Sequence, residues 1–168
     1  TGDFAGAMRL AAATEAVARG IEAHLPLGMA IALEGLAAAY LGDFEGAERL
    51  TLEAVAKARA IASPYLEAIV LVRRLEALVQ MARMNDAQAV CLELERQQGG
   101  ASNSETEGVM CSWKAIAATQ LGQRDVATAA AAKAKALATR TGAKGELVLV
   151  GVAEALGKMA QADFSGAR

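Results

Sequence analysis

Apolar residues along the chain recur at intervals of three and four, the spacing of one face of an α-helix. The clearest case runs from Phe44 to Ile61, where oppositely charged pairs four residues apart occupy the other side. Upstream, the segment from Leu27 to Leu41 is apolar nearly all round, which is typical of a helix packed between neighbours. The pattern therefore predicts amphipathic outer helices that alternate with apolar inner helices.

A hexapeptide repeats at the boundaries between these helices. Gly42-Asp43-Phe44-Glu45-Gly46-Ala47 has counterparts that begin at Gly2 and Ala162, so the period is 40 residues. A degenerate copy begins at Gly122 in the same phase, and a weaker copy begins at Met84, about two residues late. Five phased copies indicate that the chain is built from repeated helix pairs.

Each position of the hexapeptide has a predicted role in a tight joint between two helices. Gly42, like Gly122, is suited to the left-handed conformation that ends a helix, and Asp43 can cap the next helix. Phe44 is expected to fill the joint. Small residues are expected to let the two backbones approach closely, and these are Gly46, Ala47 and, in the later copy, Ala127.

The period predicts eight helices and an all-α fold in a single domain of residues 1–168, cut from a longer protein. Outer helices are predicted over 3–20, 43–62, 85–97 and 123–141, and inner helices over 26–41, 64–83, 105–121 and 146–160. Ser63 before Pro64 is a helix start with a cap and an N-terminal proline. Residues 97–103 are predicted to form a loop. The strand-like segment 146–153 is assigned to a helix by the phase of the repeat.

These features resemble the tetratricopeptide repeat family. Gly42 and Ala47 match the family's turn glycine and second-helix alanine, which places Gly35 at its first-helix glycine. The family's early tryptophan is absent, and its period of about 34 residues is shorter than the one found here. The resemblance implies a tetratricopeptide-like α-solenoid of about four antiparallel helix pairs. The longer period and alanine-rich second helices look like the repeat arms of MalT-type and LuxR-type bacterial transcriptional activators and related signal-transduction ATPases.

Such a resemblance implies a non-catalytic cytoplasmic module, a regulatory arm that binds a protein, a peptide or a small inducer. A free-standing scaffold for protein assembly is the alternative, and the flanking sequence would distinguish the two. The family's groove would be lined by Met29, Leu36 and Tyr40 in the first pair, Leu71, Arg74, Leu78 and Met81 in the second, Ser112, Ile116 and Gln120 in the third, and Leu156 and Met159 in the fourth. Arg74 would meet an acidic group of a bound helix or extended peptide. Alternatively, these apolar residues pack helix on helix or within a homodimer.

Composition narrows the choice of partner. The 17 basic and 19 acidic residues nearly balance, so neither nucleic acid nor a membrane surface is a predicted partner. The most apolar short run, residues 66–72, is far shorter than the span of about 20 residues that a bilayer requires. No transmembrane segment is therefore predicted. Because the chain starts and ends within outer helices, its end faces are expected to be apolar and to self-associate.

Neither a catalytic nor a metal-binding constellation is predicted. The single histidine, His24, lies between two helices without a partner nucleophile nearby in the sequence. Cys91 and Cys111 lack metal-ligand spacing and are expected to be buried free thiols. A basic cluster, formed by Lys133, Lys135, Arg140 and Lys144, is expected to be a solvated outer face. We therefore predict no enzymatic activity and no cofactor.

Overall fold

The structure is a computed structural model that describes residues 2–97 and 104–165, and within these ranges its regular structure is entirely helical. The helices are α1 (Phe4–Gly20), α2 (His24–Leu41), α3 (Phe44–Ala60), α4 (Pro64–Gln80), α5 (Met84–Gln97), α6 (Ser104–Gln120), α7 (Arg124–Thr141) and α8 (Lys144–Ser165). The predicted all-α fold is confirmed, and residues 146–153 are helical. The predicted loop at 97–103 lies outside the described residues except for Gln97, which ends α5.

The starting points of the helices reproduce the period of the sequence. The even-numbered helices begin at residues 24, 64, 104 and 144, and the odd-numbered helices begin at 4, 44, 84 and 124. The weak hexapeptide copy is therefore in phase and begins at Ala82, so its placement two residues late at Met84 was wrong. Ala82 and Arg83 stand where Gly42 and Asp43 stand in the clear copy, and this substitution hides the motif without shifting the helix.

The fifth copy of the hexapeptide differs from the others in structure. Helix α8 continues through Ser165, so residues 162–165 are helical instead of forming a joint. A joint closes when the next helix packs back on the one before it, and no helix follows α8 among the described residues. Residues 166 and 167 of this copy lie outside the described ranges.

A residue with a left-handed backbone marks every described joint. Positive φ angles occur at intervals of 20 or 40 residues, at Glu22, Gly42, Ala62, Ala82, Gly122 and Gly142. The next amide then donates to the carbonyl five residues back, as Asp43 N does to Ala38 O at 3.0 Å. This pairing is the Schellman motif that ends α-helices. Half a repeat is thus 20 residues long and consists of one helix and one short joint.

Replacing Ala82 with glycine is expected to raise the free energy of unfolding by about 0.5 to 1 kcal/mol. Ala82 has a φ of 57°, where a Cβ is strained and glycine is not. Denaturant titration would measure the change. The control is Ala56→Gly at an exposed position within α3, where glycine is expected to cost about 1 kcal/mol. A loss of stability in both variants would contradict the assigned role of the joint.

The two glycines of the hexapeptide have different roles. Gly42 ends α2 with a φ of 84°, and Asp43 then caps α3 by accepting a hydrogen bond from Gly46 N at 3.0 Å. A Cβ on Gly46 would lie 2.2 Å from the Asp43 carboxylate. Gly46 therefore makes room for the capping side chain, and not for close approach of two helices as predicted. Ala47 does pack in the interior, with 0% of its surface exposed.

The aromatic residue of the hexapeptide does not fill the joint. Phe44 is 50% exposed, which contradicts its predicted role. The equivalent ring one repeat earlier, Phe4, stacks on Tyr40 with ring centroids 4.1 Å apart. The residue 40 positions after Tyr40 is Gln80, so Phe44 has no ring at the corresponding place.

The even helices form the inner layer of the fold. Helices α2, α4, α6 and α8 contact one another in succession, and the odd helices pack against the even helices next to them in the chain. Within residues 2–97 and 104–165, helices contact only neighbours one or two places away. This arrangement is that of an all-α helical repeat. Ala127, the later packing position, is half-buried at the start of α7.

Helix α2 also has the length and composition of a membrane span, which the sequence analysis overlooked. Its mean hydropathy is 1.3 over residues 24–41. Half of this segment is buried, and the helix contacts α1, α3 and α4. One such helix is weak evidence for a span, because a helix packed between neighbours has the same composition.

Candidate functional site

An apolar pocket of about 510 Å³ opens between α1 and α2. Large exposed side chains form its rim, among them Leu10 at 71% and Leu33 at 44% exposure, whereas small alanines lie between them. The residues that line it are Phe4, Ala7, Leu10, Ala11, Thr14, Leu25, Pro26, Met29, Ala30, Leu33, Leu36 and Ala37. An adjoining recess, lined in part by Val17 and Ile21, shares Thr14 and Pro26 with the pocket. We call the combined surface the α1/α2 end face.

Contacts at both ends of the helix pair hold α1 and α2 together around this pocket. Asp3 caps α1 by accepting a hydrogen bond from Gly6 N at 2.7 Å. The next residue, Phe4, stacks on Tyr40 near the end of α2. At the other end, the joint between the helices is closed by the bond from Ala23 N to Ala18 O at 2.9 Å. The pocket therefore lies between two helices that contact each other at both ends.

Six of the twelve positions that line the pocket have counterparts 40 residues later, in α3 and α4, that are completely covered. The counterparts of Ala7, Ala11, Thr14, Pro26, Ala30 and Ala37 are Ala47, Thr51, Ala54, Leu66, Val70 and Ala77, each with 0% exposure. Helix α2 covers them closely: a Cβ on Gly28 would lie 2.9 Å from Leu66, and one on Gly35 would lie 2.8 Å from Thr51. The floor of the α1/α2 end face thus corresponds to a surface that elsewhere in this chain packs against a helix, whereas its rim residues Leu33 and Leu36 correspond to the partly exposed Arg73 and Glu76.

The predicted groove coincides with this pocket in the first helix pair. Met29 and Leu36 line the pocket, and both are partly exposed. Tyr40 lies half-buried on the same stripe of α2, one turn further on, and its ring contacts Phe4. The structure therefore brings these three predicted residues to one surface.

The predicted groove of the second pair is wrong, because its residues lie in the core. Leu71, Leu78 and Met81 are buried, with exposures of 1%, 0% and 9%. The error follows from placing the weak hexapeptide two residues late. Two residues correspond to about half a turn of an α-helix, so the predicted groove residues fell on the opposite, buried face of α4. The residues 40 positions after the stripe of α2 are all partly exposed, and these are Ile69, Arg73, Glu76 and Gln80.

Arg74 is engaged within the fold and is not available to a ligand. Its guanidinium donates to Glu48 Oε1 at 3.0 Å and to Glu48 Oε2 at 3.2 Å, a bidentate pair. It also donates to Thr51 Oγ1 at 2.9 Å, and the side chain is only 11% exposed. Glu48 accepts a further charge-assisted bond from Arg83 at 2.8 Å. This network ties α4 to α3, so the predicted contact with a ligand's acidic group is replaced by an internal one.

The later predicted groove residues are dispersed. Ser112 and Ile116 are buried, and Ser112 Oγ donates to Gly108 O at 3.1 Å within its own helix. Gln120 is exposed at the end of α6. On α8, Leu156 is half-buried against the core and Met159 is 64% exposed. The inner helices therefore present no continuous apolar groove over the described residues.

The surface of the inner layer changes from apolar to polar between α2 and α4. Tyr40 donates to Glu76 Oε1 at 2.9 Å and accepts from Gln80 Nε2 at 3.3 Å. Arg73 also donates to Glu76, at 3.2 Å. Burial and the adjacent Glu76 carboxylate raise the pKa of the Tyr40 hydroxyl, which therefore stays protonated and donates. These bonds fix the edge of the apolar pocket next to α4.

An ionisable side chain that was not predicted lies on α2, next to Glu15 of α1 and near Glu53 of α3. Glu34 is the one carboxylate in α2, and its Oε1 is buried without a hydrogen-bond partner among the described residues. The pKa of Glu34 is raised from 4.5 to about 7, and burial is the largest cause. A hydrogen bond with Glu15 and repulsion from the carboxylates of Glu15 and Glu53 raise it further. Burial opposes ionisation of Glu15 too, but hydrogen bonds with Arg19 and Glu34 lower its pKa. A lone acid in an otherwise apolar helix was the signal that could have identified this pair.

Stability is expected to depend on pH through Glu34. Between pH 4.5 and about 7 the native state holds a proton that the unfolded chain has released, so the free energy of unfolding falls as pH rises through this window. Replacing Glu34 with glutamine is expected to stabilise the protein at pH 8 by about 1 to 2 kcal/mol, a value reduced for solvent screening. Denaturant titrations of both proteins should converge near pH 4.5. A constant difference at all pH values would contradict the assignment, and exposed Glu45→Gln is the control.

The two cysteines and part of the basic cluster are accounted for by packing and ion pairs. Cys91 and Cys111 are buried free thiols, as predicted, and burial raises the pKa of Cys91 to about 12 and raises that of Cys111. In the basic cluster, Lys133 pairs with Glu107 at 2.7 Å and Lys135 with Glu154 at 3.1 Å. Arg140 and Lys144, the other two members of the cluster, are exposed, as expected for a solvated outer face.

Among the side chains that the structure describes, acidic, cysteine and histidine residues do not converge in a group of three that could hold a metal ion. The structural feature that stands out is thus the apolar α1/α2 end face. Comparison of the chain with models of protein families, with curated proteins and with solved structures finds no match.

Proposed function

We propose that this chain is a non-catalytic interaction module that binds a helical segment at the α1/α2 end face. The observation that carries the proposal is the exposed apolar pocket at positions that α2 covers one repeat later. Exposed apolar patches of this kind mark interaction sites in soluble proteins. A helix binds such a groove through apolar residues spaced by three, four and seven.

In the wider proposal, the chain is a tetratricopeptide-like regulatory arm of a multidomain bacterial transcriptional regulator or signalling ATPase, and it acts in the cytoplasm. The 40-residue period and the hexapeptide joints support this proposal through their resemblance to such arms. The free buried thiols are consistent with a reducing compartment. The flanking gene sequence tests it: we expect a nucleotide-binding domain before the repeats and a DNA-binding helix-turn-helix after them. Further helical repeats alone would support a free-standing scaffold instead.

Peptide selection tests the binding site directly. A phage-displayed library of amphipathic helices would be panned against dilute protein, and we expect enrichment of peptides with one apolar face. Binding should be lost in Ala7→Glu, because Ala7 is exposed while its counterpart Ala47 is completely covered by helix packing. The matched control is Leu52→Glu on α3, where the side chain is 47% exposed away from the pocket. Absence of enrichment, or equal binding by both variants, would overturn the proposal.

A further inference from the structure

Helix α8 carries an exposed apolar stripe at positions where α2 packs. Val148, Val152 and Met159 are 67%, 44% and 64% exposed. Their counterparts 120 residues earlier are Gly28, Ala32 and Ala39, all buried beneath neighbouring helices. We call this set, together with the exposed Gly151 and Ala155 on the same face, the α8 stripe. The α1/α2 end face therefore resembles an internal surface on which a helix packs, and the α8 stripe resembles the face of the helix that packs there.

We propose that the α8 stripe of one copy packs against the α1/α2 end face of a second copy, joining the chains head to tail. The inference rests on the proposed function and names the helix that the end face binds. Within one chain the same contact is made three times, because α2, α4 and α6 each pack against the following helix pair. Docking of α8 on a second copy continues that series with the same geometry.

The side chains at the proposed contact are complementary in size. Within the chain, Gly28 meets the large Leu66. At the proposed contact the corresponding residues are Val148 and Pro26. The residue on the packing helix is thus larger than Gly28, and the residue on the end face is smaller than Leu66. Likewise, Gly35 meets Thr51 within the chain, whereas Ala155 would meet Ala11. Each exchange keeps the combined volume close to that of the internal interface, which close packing requires.

The two surfaces differ, so the contact is heterologous. A heterologous contact joins copies into open rods or closed rings. Every open assembly leaves one α1/α2 end face and one α8 stripe uncovered.

Sedimentation velocity over a range of about 10 µM to about 1 mM tests the proposal, since weak interfaces are populated there. The weight-average mass of the protein should rise from the monomer value of 17.2 kDa to at least twice that value. The variants Ala7→Glu and Val148→Glu should each remain monomeric, because each places a charge on one of the two surfaces. Leu52→Glu, on the outer side of α3, should assemble like the original chain. Circular dichroism would establish that all variants are folded.

Mixing the two monomeric variants gives the decisive result. Ala7→Glu keeps an intact α8 stripe and Val148→Glu keeps an intact end face, so an equimolar mixture should form a dimer that grows no further. A mixture that stays monomeric overturns the proposal. Assembly that Ala7→Glu abolishes and Val148→Glu leaves unchanged also overturns it, because the end faces would then pair with each other.

The outcomes separate this inference from the proposed function. If the folded chain stays monomeric at about 1 mM but still selects helical peptides that Ala7→Glu rejects, the end face binds helices and α8 is not the partner. If the chain neither assembles nor selects peptides, both proposals fail.

Discussion

Replacing Arg74 with alanine is expected to lower the free energy of unfolding by about 2 to 3 kcal/mol. The change removes three hydrogen bonds, two to Glu48 and one to Thr51, from a side chain that is 11% exposed. Glu48 retains its bond to Arg83, which limits the loss. Urea titration monitored by circular dichroism would measure the difference.

The neighbouring Arg73 provides the control for this prediction. Arg73 is 37% exposed and pairs with Glu76 on its own helix, so Arg73→Ala should change stability by less than about 1 kcal/mol. Arg74→Lys should recover only part of the loss, because an ammonium group cannot reproduce the bidentate bond to Glu48. Equal effects of Arg73→Ala and Arg74→Ala would show that the internal network does not stabilise the fold.

Replacing Gly35 with alanine is expected to lower the free energy of unfolding by about 1 to 3 kcal/mol, although alanine is normally the better helix former. The added Cβ would lie 2.8 Å from Thr51 Cγ2 and 3.0 Å from both Leu50 Cβ and Thr51 N. Atoms at the backbone cannot move aside independently, so α2 and α3 must separate. Thermal unfolding of the variant would report the loss.

Gly157→Ala is the matched control for the prediction at Gly35. Apart from its chain neighbours and the backbone of its own helix, no described heavy atom lies within 4 Å of the position that a Cβ on Gly157 would occupy, so the substitution should stabilise α8 by about 0.5 to 1 kcal/mol. Measurements at low protein concentration would prevent self-association from affecting the measured stabilities of the two variants. A stabilising effect at both glycines would mean that α2 and α3 are not in tight contact at Gly35.

The positions of the helices were predictable because the period and the local end signals agree. Ser63 accepts a hydrogen bond from Leu66 N, and Pro64 starts α4 where the sequence indicated. The phase of the next joint was misread because Ala82 adopts the left-handed conformation without being glycine. Counting forward from Pro64 would have kept the correct phase and placed Arg73, not Arg74, at the position equivalent to Leu33 on the stripe of α2.

The candidate site was only partly predictable. Met29 and Leu36 were expected on one surface from the resemblance to the repeat family, but the open pocket was not predicted, because its alanines are of the same kind as those in the core. Ala7 and Ala47 occupy equivalent places in the repeat, yet one is exposed and the other has 0% exposure. Which of them is accessible depends on whether a helix lies above it, and that information is in the packing and not in the local sequence.

The regular spacing of the left-handed residues also bears on how such a chain can change in length. Since described contacts reach no further than two helices along, inserting or deleting one 40-residue segment between joints leaves all other neighbour relations intact. A change of one or two residues inside a helix instead rotates every later side chain about the helix axis and separates the alanines that meet across it. Gene duplication in whole units is therefore the change in length that this architecture tolerates.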